Sequence, residues 1–207
     1  MRISLAQQLR KYFIMGSQNC EQDPVTILES AAKAGITAFQ FREKGIGSLA
    51  GDEKLKLGKK LRQICREYHI LFIVNDDVEL VDLLDADGIH VGQADQSVTE
   101  LRKQYPDKLI GLSVSNRTEV ENSPTHLVDY LGAGPIYGTT TKSDAKTPVG
   151  TEWIRTLRNQ FPNIPIVGIG GINTSNASSV IHAGANGVAV ISSITQATNI
   201  VEAVKKL

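Results

Sequence analysis

Eight short apolar runs, each followed by a stretch of helical periodicity, leave this chain few architectures to adopt. The first four are Tyr12-Phe13-Ile14-Met15, Ala38-Phe39-Gln40-Phe41, Leu71-Phe72-Ile73-Val74 and Gly88-Ile89-His90-Val91. The others are Leu109-Ile110-Gly111-Leu112, Leu127-Val128-Asp129-Tyr130-Leu131, Ile166-Val167-Gly168-Ile169 and Gly187-Val188-Ala189-Val190-Ile191. Most are continuous in Val, Ile and Leu, the pattern of parallel strands covered by helices. Between them, Pro24 to Ala34 sets Ile27, Leu28 and Ala31 on one face, with Gly35 as a stop. Leu55 to Tyr68 carries Leu57, Leu61, Ile64 and Tyr68 at three-to-four spacing. Val78–Leu84, Val98–Tyr105, Trp153–Gln160, Asn176–Ala183 and Ala197–Lys206 repeat the theme, and the weakest helix lies around Thr118 to Asn122. Strand then helix, eight times in 207 residues without a linker, predicts an α/β chain folded as a single (β/α)8 TIM barrel over residues 1–207. A doubly wound open sheet is the alternative, since counting strands does not demonstrate closure. In a barrel, chemistry belongs at the C-terminal ends of the strands.

Composition narrows the function classes. Lys plus Arg (22) balances Asp plus Glu (22), which argues against a broad nucleic-acid or membrane surface. Any cluster of cations is then a local feature of a site. The first residues contain no long apolar stretch, so neither signal peptide nor membrane span is expected. Cys20 and Cys65 fit no metal spacing and are expected to be isolated reduced thiols, which points to a cytoplasmic protein. The sequence leaves a homo-oligomer open.

The polar residues collect where a barrel would use them. The second run ends Gln40-Phe41-Arg42-Glu43-Lys44, and strand alternation puts Gln40, Arg42 and Lys44 on one face. Two cations and an amide so aligned suit a polyanion such as diphosphate; the plain alternative is a solvated edge strand. After the third run, Asn75-Asp76-Asp77 offers Asp77 as a helix N-cap and leaves Asp76 for another task. After the fourth, Asp95 lies on a loop, where it either converges with Asp76 on a Mg2+ or starts a turn or caps the helix at Ser97. After the sixth comes Gly132-Ala133-Gly134-Pro135-Ile136-Tyr137-Gly138-Thr139-Thr140-Thr141-Lys142-Ser143, a glycine-punctuated loop with hydroxyls and a cation, expected to act as a lid over an anion. The seventh run ends Gly170-Gly171 and the eighth Ile191-Ser192-Ser193, the positions of a recurrent barrel phosphate site. Ser113, ending the fifth run, has no adjacent base in sequence and is expected to hydrogen-bond rather than attack. His69, His90, His126 and His182 lack ligand spacing and are expected to be structural, and Trp153 to pack a helix.

Together these motifs resemble the thiamine-phosphate synthase family, nearly end to end. The resemblance is carried by Gln40 to Lys44, Asn75-Asp76-Asp77, His90-Val91-Gly92-Gln93-Ala94-Asp95, Gly134-Pro135-Ile136 through Thr139-Thr140-Thr141-Lys142, and Gly168-Ile169-Gly170-Gly171-Ile172. It implies a (β/α)8 enzyme in which a thiazole phosphate displaces diphosphate from a hydroxymethylpyrimidine diphosphate, giving thiamine phosphate. It further implies that Gln40, Arg42, Lys44, Asn75, Ser113 and Lys142 hold the pyrimidine diphosphate, and that Asp76 and Asp95 bind Mg2+. Thr139 and Thr141 (with Thr140 between them), Gly171, Ile191 and Ser192 are implied to hold the thiazole phosphate. Arg42, Lys44, Lys142 and Ser113 would then carry catalysis, through a dissociative reaction that needs no general base. Two other readings compete: a thiazole tautomerase of the same fold, which needs neither diphosphate nor metal, and a non-catalytic sensor of phosphorylated metabolites.

Overall fold

A computed structural model describes residues 3–139, 141 and 146–207. Among these, Lys11–Met15 (β1), Ala38–Phe41 (β2), Leu71–Asn75 (β3), Gly88–Val91 (β4), Leu109–Val114 (β5), Tyr130–Ala133 (β6), Ile166–Ile169 (β7) and Gly187–Val190 (β8) form a parallel sheet. It closes in sequence order, with β8 paired to β1 through Tyr12 beside Ala189. The helices are Leu5–Gln8 (α1), Pro24–Ala34 (α2), Gly51–Glu67 (α3), Glu79–Leu83 (α4), Val98–Gln104 (α5), Arg117–Glu121 (α6), Gly150–Gln160 (α7), Ala177–His182 (α8), Ser192–Thr195 (α9) and Ile200–Lys205 (α10). Closure settles the choice against an open sheet.

Strand alternation divides the apolar residues between two cores. Tyr12, Ile14, Ala38, Ile73, Tyr130, Val167 and Ala189 point inward and, with Leu9 below, fill the barrel. Phe13, Phe39, Phe41, Phe72, Val74, Ile89, Ile110 and Leu131 point outward into the layer shared with the helices. The helix α2 shows how local signals set an element. Asp23 accepts the Thr26 N–H at 3.1 Å, Pro24 starts the first turn, and Gly35 ends it at φ +98°. Ile27, Leu28, Ala31 and Ala32 form its buried face.

Two sequence expectations are corrected. The sixth strand, expected over Leu127 to Leu131, begins at Tyr130, and Thr125–Leu127 form a 3-10 turn. Arg102 takes the Leu127 carbonyl through Nε at 3.1 Å and Nη2 at 2.9 Å, so that carbonyl lies outside the ladder. Asp77 does not cap α4, whose N-cap is Val78; its carboxylate accepts from Lys54 Nζ at 2.7 Å instead.

The lower rim carries a repeated tie. The residue just before each even strand caps an N–H at the start of the preceding odd strand. Thr37 Oγ1 accepts from Lys11 N at 2.9 Å, Asp87 Oδ2 from Phe72 N at 2.7 Å, Asp129 Oδ2 from Ile110 N at 2.8 Å, and Asn186 Oδ1 from Ile166 N at 2.9 Å. In the last three quarters an arginine from the helix before the odd strand also grips the cap: Arg62 of α3 on Asp87, Arg102 of α5 on Asp129 and Arg158 of α7 on Asn186. Arg62 is 9% exposed and bidentate to Asp87, at 3.0 Å for both bonds. Asp87→Ala leaves that buried charge with only the longer Asp85 contact at 3.8 Å and the Phe72 N–H without its side-chain acceptor, so it is expected to destabilise the barrel by about 3 kcal/mol. Denaturant titration checks this, with activity per folded molecule expected to stay at the wild-type level.

Candidate active site

At the C-terminal ends of the strands lies a cavity of about 620 Å3. One wall comes from β2 to β4: Arg42 and Lys44 beyond β2, Asn75 and Asp76 at the end of β3, and Gly92 to Asp95 beyond β4. The wall from β7 and β8 consists of Gly170 to Asn173 and Ile191 to Ser193. In an eight-stranded ring closed in sequence order, β3 and β7 face each other, so the two walls are opposed. Ser113 and Ser115 from the β5 end, with Gly134, Pro135, Gly138, Thr139 and Thr141 from the segment after β6, line the space between them.

The acidic and basic residues of the first wall meet at one point. Lys44 Nζ hydrogen-bonds the Asp76 carboxylate and lies 3.9 Å from Asp95 Oδ1. Asp76 occupies this place with φ +57°, a left-handed backbone, while its N–H donates to the His90 carbonyl at 3.0 Å. Asp95 Oδ2 accepts the Gly92 N–H at 2.7 Å, so the carboxylate holds its own turn while its other oxygen faces Lys44. Asp95 thus forms its turn, as one sequence reading had it, and its other oxygen approaches the lysine that Asp76 binds. The bond to Asp76 holds the Lys44 ammonium above its ordinary pKa, with partial burial opposing it.

Residues that the sequence did not single out brace this wall. Glu43 is buried and points away from the cavity, accepting from Ser17 N at 2.8 Å, Ser17 Oγ at 2.5 Å and Leu49 N at 2.7 Å. Gln18 Nε2 donates to the carbonyls of Arg42 at 2.8 Å and Lys44 at 3.2 Å. The only sequence signal was parity: Glu43 alternates with Arg42 and Lys44, so it had to face the other way.

Gln40 lies deeper than expected. It shares the inward face with Arg42 but is only 2% exposed, off the cavity lining, with Nε2 donating to Tyr12 Oη at 2.9 Å. His90, expected to be structural, lines the cavity and hydrogen-bonds Ser113 Oγ at 2.8 Å. Thus Arg42, Lys44, Asn75, Asp76, Asp95, Ser113, Thr139, Thr141, Gly171, Ile191 and Ser192 all come together around one cavity. Thr140 and Lys142 lie outside the described residues.

The segment after β6 is tied at both roots. Ile136 and Tyr137 donate to the carbonyls of Ile169 and Gly170 at 2.8 and 3.0 Å, and Val149 and Gly150 return to those of Pro135 and Ile136 at 2.8 and 3.1 Å. Gly171, at φ +61°, lies so close that a Cβ there would collide with the Gly138 carbonyl. Lys146, also unforeseen, lines the cavity and donates to Glu119 Oε1 at 2.5 Å. Burial pushes the Glu119 carboxyl up, but Lys146, the Ser115 N–H and Asn116 outweigh it and hold the group below its ordinary value.

This chain is similar over nearly its whole length to proteins of one kind. The model of the family described as thiamine monophosphate synthase matches residues 11–194. A thiamine-phosphate synthase of Oceanobacillus iheyensis is 59% identical, across 96% of this chain and 97% of that protein. One from Bacillus cereus is 51% identical, across 100% of this chain and 95% of that protein. The solved structure of a thiamine phosphate pyrophosphorylase from Pyrococcus furiosus superposes with a TM-score of 0.87 at 34% identity, covering 99% of this chain and 96% of that one.

Proposed function

This chain belongs to the thiamine monophosphate synthase family, and from that premise we propose that it joins a hydroxymethylpyrimidine diphosphate to a thiazole phosphate, releasing thiamine phosphate and diphosphate. One observation carries the reading: a single cavity sets Arg42, Lys44, Asp76 and Asp95 on one wall and the glycine and serine turns of β7 and β8 on the other. Such opposed walls suit two phosphorylated substrates held with their reacting carbons between them.

The chemistry asks little of acid–base groups. The thiazole nitrogen brings its own lone pair, and the leaving group departs as an anion. In a dissociative course the C–O bond breaks first, and the 4-amino group of the pyrimidine stabilises the resulting methyl cation. The barrier is then set by charge growing on diphosphate, which in this reading Arg42, Lys44 and Lys142 neutralise and Ser113 hydrogen-bonds. Asn75 completes that wall. On the other side, backbone groups of Gly171 and Ile191 with Ser192, and hydroxyls from Thr139, Thr140 and Thr141, hold the thiazole phosphate.

A divalent cation fits the donor set. Among the described residues no group of three or more His, Cys, Asp or Glu side chains converges, so a metal at this wall would share phosphate oxygens and water with two carboxylates. That is the mixture Mg2+ favours. Asp76 and Asp95 already meet at one cation, the Lys44 ammonium. Bound by this pair, Mg2+ would supply Lewis-acid charge to the departing diphosphate. A cytoplasmic address belongs to the same proposal and is supported by Cys20 and Cys65 being free thiols. Among the described residues no helix is long and apolar enough to cross a membrane.

Incubation with both substrates and Mg2+ tests the function. Thiamine phosphate and diphosphate are expected in equal amounts. Isomerised thiazole without diphosphate release is what a tautomerase would give, and tight binding without product is what a sensor would give.

A further inference from the structure

Beneath the cavity a chain of polar groups crosses the otherwise apolar barrel interior, and of its members the proposed reaction uses Ser113 alone. Gln40 Nε2 lies 2.9 Å from Tyr12 Oη, and Tyr12 Oη 2.9 Å from Tyr130 Oη. Tyr130 Oη lies 3.0 Å from His90 Nδ1, and His90 Nε2 lies 2.8 Å from Ser113 Oγ. The members come from β2, β1, β6, β4 and β5, and Ser113 and His90 open onto the cavity.

The barrel makes room for this chain. A Cβ at Gly111 would collide with both Tyr130 and His90, and one at Gly132 would come within 2.9 Å of His90 Cε1. Two inward strand positions are therefore left without side chains where the tyrosine and histidine rings meet, at a centroid separation of 5.4 Å.

Hydrogen-bond bookkeeping gives the chain a direction. The Gln40 amide presents its nitrogen to Tyr12 Oη, and in that orientation Tyr12 Oη accepts from Gln40 and turns its own proton to Tyr130. Tyr130 then donates to His90 Nδ1, which must carry no proton. The neutral ring keeps its proton on Nε2 and gives it to Ser113 Oγ, whose own hydrogen is left for the cavity. Burial raises both phenols well above the ordinary tyrosine value, so each has a proton to pass.

We infer that Gln40, Tyr12, Tyr130 and His90 form a one-way hydrogen-bond chain that commits the Ser113 hydroxyl to donate into the cavity, with His90 a positioning residue in its neutral Nε2–H form. A serine so committed meets an anionic oxygen as a donor at every encounter, with no reorientation on binding. That the receiving oxygen belongs to the pyrimidine diphosphate rests on the proposed function; the direction of the chain does not.

Two measurements test it. The first is 15N spectroscopy of histidine-labelled protein at neutral pH, with His90→Gln used to assign the signals. His90 is expected with a protonated Nε2 and an unprotonated, hydrogen-bonded Nδ1; the opposite tautomer or an imidazolium overturns the inference. This readout needs no turnover, so it stands even if the chain proves inactive on these substrates, a result that would count against the function alone. The second is a double-mutant cycle on kcat/KM for the pyrimidine diphosphate. Tyr130→Phe is expected to lower it about tenfold. The double variant with Ser113→Ala should then be no worse than Ser113→Ala by itself, because Tyr130 acts through Ser113. Losses that multiply would mean a packing role for Tyr130 and would overturn the proposal.

Discussion

Lys142→Ala is expected to lower turnover at least 100-fold, a loss of ~3 kcal/mol in transition-state stabilisation, while the thermal midpoint stays at the wild-type value. The lysine closes a run of three threonines between two roots, the first stitched to β7 and its following turn and the second stitched to the first. In a dissociative displacement the charge on diphosphate is greater at the transition state than in the bound substrate, so a cation that meets it contributes more to kcat than to ground-state binding. Steady-state kinetics should therefore show kcat falling while KM for the pyrimidine diphosphate moves little. The roots of the segment are held by backbone bonds of residues 136, 137, 149 and 150, which the substitution leaves in place. Wild-type turnover in this variant would remove Lys142 from the mechanism.

Asp76→Asn is expected to be comparably severe, with turnover at least about 100-fold lower at ordinary Mg2+ concentrations. It keeps the shape of the side chain and removes the charge that Lys44 now binds. Two effects follow from one atom change. The carboxylate pair loses half its charge toward a divalent cation, and Lys44 loses the partner that raises its pKa and fixes its direction. Asparagine also tolerates the left-handed backbone at φ +57°, so the barrel should keep its stability. Rates measured against Mg2+ concentration should show a higher metal requirement, while calorimetric binding of thiazole phosphate, on the opposite wall, stays unchanged. An Asp76→Asn enzyme with unchanged metal dependence would assign the cation to other residues.

Much of this was legible in the sequence because strand parity is a strong constraint. Once the second run is a barrel strand, Gln40 and Arg42 must face inward and Phe39 and Phe41 outward, and they do. The close spacing of neighbouring strands likewise set Asp76 near the end of β4, and Asp95 approaches the same lysine. Depth along the barrel axis was not legible. Gln40 and Arg42 share a face, yet one lies in the barrel floor and the other in the mouth, because that depends on the stagger of neighbouring strands. Contacts across the barrel were equally hidden. Tyr12, His90, Ser113 and Tyr130 are far apart in sequence, and only closure brings their polar atoms into line. The start of β6 was misplaced because Leu127 and Val128 are apolar for another reason: they pack against the outer layer from a turn. The capping of odd strands by Thr37, Asp87, Asp129 and Asn186 was hidden too, since no local pattern distinguishes these polar residues from ordinary turn formers.

Metal-assisted departure of diphosphate is tested by product formation in chelator-treated protein supplied with both substrates, before and after Mg2+ is restored. Thiamine phosphate and diphosphate should appear together and only once Mg2+ is present. Undiminished formation of both without any divalent cation would contradict the metal-binding role of Asp76 and Asp95 and the part their cation plays in the reaction.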